Sequence, residues 1–175
     1  MVFISNAKKS LLACVIFVFS GFFSCFYLVQ DWKLAMPNLI FYIILVINTY
    51  FSINTFSAII PKDNWSQKVI DILLMLVYIY FSLNIGKPFW FGLGGIILFF
   101  MAVLKYLNLG TMVGFSKLLK RKIFVDTLGF FAFLLTFSGV LMGYGLVSMW
   151  VLTIVFAVVN FYLFFINPLY IRPVR

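Results

Sequence analysis

Long apolar runs separated by short polar breaks dominate this chain. A bilayer core about 30 Å thick is crossed by a helix of about 20 apolar residues. Six runs reach that scale, at residues 10–29, 38–60, 69–85, 89–107, 123–144 and 147–167. The breaks between them carry turn chemistry. They are 30–37 with Asp31 and Pro37, 61–67 with Pro61 and Asn64, Gly86-Lys87-Pro88, 110–122, and the Gly143-Tyr144-Gly145 corner. At the last break, residues 123–167 also read as one bent or re-entrant element, although their length favours two spans. The pattern predicts an all-α integral membrane protein. It is one polytopic domain over 1–175, with six transmembrane helices arranged as three hairpins in a compact bundle.

The first run follows Lys8 and Lys9 as a signal peptide's apolar region follows its basic start. It is longer than the usual 7–15 apolar residues or so, and no clear small-x-small site follows it, so a retained span is expected.

Composition agrees. The chain is 65% hydrophobic and 10% charged, against about 45–50% and about 25% in soluble domains. Its 13 lysines and arginines outnumber four acids, giving a net charge of +9. Eleven of the 13 fall on one side of the predicted spans: Lys8, Lys9, Lys62, Lys68, Lys105, Lys117, Lys120, Arg121, Lys122, Arg172 and Arg175. Only Lys33 and Lys87 fall on the other. The positive-inside rule then predicts both termini in the cytoplasm and residence in the plasma (inner) membrane. The basic excess is used in orienting the spans, so no nucleic-acid partner is expected. Trp32, Trp65, Trp90 and Trp150 lie near predicted span ends, where indoles favour the interface. Asn64-Trp65-Ser66 matches a glycosylation acceptor but falls on the predicted cytoplasmic side, so no glycan is expected.

The residue inventory narrows the chemistry. There is no histidine, and the four acids are Asp31, Asp63, Asp71 and Asp126. Haem on histidine, imidazole zinc sites and a histidine base are excluded. Cys14 and Cys25 fit no redox or metal spacing and read as small hydrophobes. No nucleotide loop, nucleophile elbow or phosphotransfer motif occurs. No cofactor, no metal and no enzymatic activity are expected. A lipid-modifying enzyme would have to be built on Asp71 or Asp126 beside a hydroxyl.

Polar residues inside spans tend to face protein or a cavity. Asn48, Ser52 and Thr55 are spaced i, i+4, i+7 on the second span, and Asp71, Tyr78 and Ser82 are spaced i, i+7, i+11 on the third. Asn160, Phe164 and Asn167 make a weaker stripe on the sixth. Facing one another, the first two stripes would form a polar seam. That seam is either a ligand or ion path or interhelical hydrogen bonding that holds the bundle. Asp71 and Asp126 stand about one turn inside predicted helix starts, with Lys68 and Lys122 three and four residues before them. They read as first-turn anchors or as a cation-sensing pair at the inner mouth. Lys117, Lys120, Arg121 and Lys122 sit in the predicted 110–122 loop. They read as a topology anchor, or as a basic surface segment for anionic lipid headgroups or a cytoplasmic protein.

Two function classes follow. The leading one is a small transport protein: a channel, a carrier or a membrane-embedded solute-binding subunit, its path including Asn48, Ser52, Thr55, Asp71, Tyr78, Ser82 and Asp126. In size and span number the chain resembles the substrate-binding components of energy-coupling-factor transporters, a likeness of architecture that carries over no residue. The alternative is a non-catalytic membrane partner or oligomeric scaffold, such as an immunity or phage-defence component. It would form homo-oligomers or dock a cytoplasmic protein on the basic inner face.

Overall fold

The computed structural model describes residues 6–60 and 64–170. Among them there is no strand. The helices are α1 (Asn6–Tyr27), α2 (Trp32–Phe56), α3 (Trp65–Leu83), α4 (Pro88–Val113), α5 (Lys117–Leu141) and α6 (Gly145–Phe161), and α6 runs on into a π-helical turn, Tyr162–Ile166. All six are long and apolar enough to cross a membrane.

The helix starts are set by side chains that satisfy free amides. Asp31 Oδ1 accepts from the Lys33 and Leu34 amides at 2.9 and 3.4 Å. This cap starts α2 at Trp32 and leaves Pro37 inside the helix, where the sequence predicts a break through residue 37. The Asn64 side chain accepts from the Gln67 amide at 3.0 Å, and Pro88 takes the first position of α4.

The predicted 110–122 loop shrinks to three residues, Gly114, Phe115 and Ser116. Gly114 turns the chain at φ +83°, and Ser116 Oγ caps α5 by accepting from the Leu119 amide. Phe115 folds back over Gly110, where a β-carbon would lie 2.3 Å from its ring. The basic cluster therefore occupies the first two turns of a helix rather than a loop. Gly143, at φ +87°, makes the corner that separates α5 from α6, so this region is two helices.

The helices close a ring. Following the packed neighbours gives α2, α1, α3, α4, α5, α6 and back to α2, with α4 also touching α2 and α6 across the interior. The three sequential hairpins are present. The first runs round the ring in the opposite sense to the other two, so a threefold rotation does not relate them. The half of the ring nearer the helix turns Leu28–Asp31 and Asn84–Lys87 is filled by aromatic side chains. Phe41, Phe81, Phe91 and Phe133 are fully buried there. Phe81 stacks on Phe91 at 4.0 Å, and Phe41 meets Phe133 edge-on at 5.2 Å. Asn38 Nδ2 donates to the Ile85 carbonyl and Thr153 Oγ1 to the Pro37 carbonyl, tying the same end together. Outward, the ring presents an apolar surface that includes Phe19, Phe26, Leu135 and Phe165.

Candidate functional site

The other half of the ring is hollow. A cavity of about 1110 Å³ is lined by residues of all six helices, within 9–17, 41–60, 64–78, 98–106, 122–133 and 152–160. None of its lining comes from the Phe-filled half beyond Phe41 and Phe133. It is therefore one-ended, running from the end that carries Lys9 and Lys68 to the middle of the bundle.

Its walls are ordered by polarity. At the closed end stand Phe41, Phe99, Phe133 and Phe156, with Phe41 stacked on Phe156 at 4.1 Å. Lower down, α2 acts as a hydrogen-bonding hub. Thr49 Oγ1 meets the Tyr78 hydroxyl of α3, and Ser52 Oγ meets the Tyr106 hydroxyl of α4 at 2.6 Å. Asn48 donates to Asn160 Oδ1 of α6 and accepts from the Tyr170 hydroxyl. Thr55 Oγ1 donates to the Tyr170 carbonyl at 3.4 Å. Tyr170 lies beyond α6 and its π-helical turn. Burial pushes its phenol above the ordinary tyrosine range, so it remains a neutral donor to Asn48.

Two ion pairs face the same space. Lys122 Nζ lies 2.6 Å from Asp126 Oδ1, one helical turn away on α5, with the residues 6% and 2% exposed. Lys105 Nζ of α4 lies 2.6 Å from Asp71 Oδ1 of α3, a charge contact without hydrogen-bond alignment. Lys122 also sits 5.3 Å from the Tyr106 ring centre. Four buried polar atoms on cavity-lining residues lack a hydrogen-bond partner: Ser57 Oγ, Gln67 Nε2, Asp126 Oδ2 and Asp71 Oδ1, the last met by Lys105 as a charge only.

Of the seven residues predicted to form the path, Asn48, Ser52, Asp71, Tyr78 and Asp126 line the cavity. Thr55 instead holds the chain beyond α6, and Ser82 turns to Ser20 Oγ of α1 at 2.8 Å. Neither acid is a first-turn anchor. The helices begin earlier than the apolar runs, which puts Asp71 in the second turn of α3 and Asp126 in the third turn of α5. Lys122 pairs with Asp126, whereas Asp71 is met by Lys105 from across α4 rather than by Lys68. The predicted basic surface group also divides. Lys117 and Lys120 are exposed, Lys122 faces inward, and Arg121 reaches the Asn167 and Pro168 carbonyls at 2.6 and 3.4 Å. Lys62, Asp63, Arg172 and Arg175 lie outside the described residues.

Thr49, Lys105, Tyr106 and Tyr170 belong to the site but not to either predicted stripe. A single stripe at helical spacing omits the adjacent position, yet a helix facing a wide cavity shows a broader arc, here Asn48 and Thr49 together. Nothing local marks Tyr106 or Tyr170 among 9 tyrosines and 24 phenylalanines. Among the described residues no group of three or more His, Cys, Asp or Glu side chains is placed to hold a metal ion. No family model matches the chain, and no curated protein or solved structure is significantly similar to it.

Proposed function

We propose that this chain is an integral membrane protein of the plasma membrane, with both termini cytoplasmic, and that it binds and translocates a solute through the cavity at the centre of its helix ring. The observation that carries the reading is the one-ended cavity. A bundle that needed polar residues only as glue would close on them and leave a dry seam. Here Asn48, Ser52, Tyr78 and Asp126 surround a space larger than the roughly 300–1,000 Å³ of most small-molecule sites. The ring is open at one end and packed with aromatic side chains at the other, as an alternating-access protein is in one of its two states.

The basic residues support the orientation. Lys8, Lys9, Lys68, Lys105, Lys117, Lys120, Arg121 and Lys122 all lie toward the open end, and Lys33 and Lys87 toward the packed end. The cavity then opens to the cytoplasm. The apolar outer surface suits a hydrocarbon solvent better than water.

The test is flux in proteoliposomes, screened across solute classes with the full chain. Solute-dependent flux that falls in Asn48→Leu and Tyr78→Phe is expected. The absence of flux or binding for every class, with a correctly inserted protein, would overturn the proposal.

A further inference from the structure

We infer that the cavity takes an amphiphile with an uncharged, hydroxyl-bearing head, and that this ligand reaches it sideways from the bilayer, between α5 and α6. The inference rests on the reading of the cavity as a ligand site in a membrane-embedded ring.

The window is the first observation. Leu128 belongs to the outward stripe of α5 with Phe124, Phe131 and Leu135, and it is 53% exposed. Val155 lies on the outward side of α6 and is 51% exposed. Both also line the cavity. Side chains that bound the interior space and the outer surface together are the rim of an opening. Towards the packed end the opening is closed where Ser148 presses on Gly139, whose added β-carbon would lie 2.2 Å from the serine oxygen. Towards the open end it is closed by Arg121 bonded to the Asn167 and Pro168 carbonyls. In a bilayer the stretch between these two ties faces acyl chains.

The head group follows from what the cavity leaves unmet. Asp126 Oδ2 is buried without a donor, because Lys122 occupies Oδ1. A buried carboxylate oxygen is costly to leave unbonded, and a ligand hydroxyl supplies the missing donor. Gln67 Nε2, also buried and unpartnered, offers a donor in return to an oxygen of the head. Around Asp126 the charges are already matched within the pairs Lys122–Asp126 and Lys105–Asp71, and the two remaining lysines of the lining, Lys9 and Lys68, are exposed at the open end. A charged head would unbalance them in a low-dielectric space, whereas a neutral one does not. The Phe41 and Phe133 end, near the middle of the bundle, takes the apolar part. Polar group towards the basic end and chain towards the midplane is also the order of a lipid in the leaflet on that side.

The experiment compares three probes on the full chain in nanodiscs, by native mass spectrometry and by stopped-flow binding. The probes are 1-monooleoylglycerol, methyl oleate, which has the same chain and no hydroxyl, and glycerol. Loss of a hydrogen bond to a charged acceptor is expected to weaken methyl oleate by on the order of tenfold relative to 1-monooleoylglycerol. Leu128→Trp, at the rim, should slow binding of 1-monooleoylglycerol several-fold. Asp126→Asn should narrow the difference between the two esters, and the comparison of esters on the unaltered chain stands whether or not that variant folds. Equal affinity for both esters would overturn the hydroxyl head. An unchanged rate in Leu128→Trp would overturn sideways access. Binding of glycerol without either ester would overturn the amphiphile but leave the transport reading standing, and binding of none of the three would count against this inference, with the wider solute screen then deciding the transport reading.

Discussion

Lys122 and Asp126 stand one turn apart on α5 with their charged atoms 2.6 Å from each other, and both face the interior of the ring rather than water. A pair in this position is held by mutual compensation. Removing one member leaves a buried charge with no counterpart, which costs about 3–5 kcal/mol, whereas exchanging both for apolar residues is often neutral.

The corresponding prediction concerns stability. Asp126→Ala and Lys122→Met should each lower the thermal unfolding midpoint in detergent markedly. The double variant Lys122→Met/Asp126→Leu should recover most of the loss. Single variants as stable as the unaltered chain would mean that the pair is solvated.

A second prediction concerns the packing that keeps α4 against α5. A β-carbon at Gly95 would lie 2.0 Å from the Phe133 ring, and one at Gly129 would lie 2.3 Å from the Phe99 ring. These rings fill the closed end of the cavity and cannot withdraw without disturbing the aromatic cluster. Gly95→Ala should destabilise the protein by roughly 1–3 kcal/mol. Gly145→Ala, whose nearest neighbour would be 3.8 Å away, should have little effect. Equal midpoints for the two variants would contradict the close approach.

A third prediction concerns alkaline pH. Burial holds the Tyr170 phenol above its ordinary value, so the folded chain keeps that proton where the unfolded chain loses it. The stabilisation is fully present below the unfolded value of about 10 and declines as pH rises past it. Unfolding midpoints followed from pH 8 to 11 should fall less steeply in Tyr170→Phe than in the unaltered chain. Parallel curves would show that the hydroxyl is not held inside by Asn48.

The apolar runs were enough to locate six helices, because a span needs little more than length and hydrophobicity. They placed the helix ends poorly where polar residues continue a helix. Trp32 to Pro37 belongs to α2 because Asp31 caps it, and Lys117 to Lys122 belongs to α5 because Ser116 does. Both caps are visible in the sequence, but the competing signals of a proline and a basic run outweigh them. The Lys122–Asp126 pairing is legible because it is local, four residues apart on one helix. The Lys105–Asp71 contact joins residues 34 positions apart, and the Tyr170–Asn48 bond spans 122. Such meetings are fixed by the order of helices round the ring, which periodicity does not encode.

Directional cysteine labelling tests the central claim most directly. With Cys14 and Cys25 replaced by serine, Ala102→Cys places a thiol on the cavity wall and Lys87→Cys places one at the packed end of the ring. A membrane-impermeant maleimide should label Ala102→Cys in inverted vesicles and not in intact cells, and Lys87→Cys in intact cells and not in inverted vesicles. Labelling of Ala102→Cys from the outside, or from neither side, would contradict a cavity that opens to the cytoplasm.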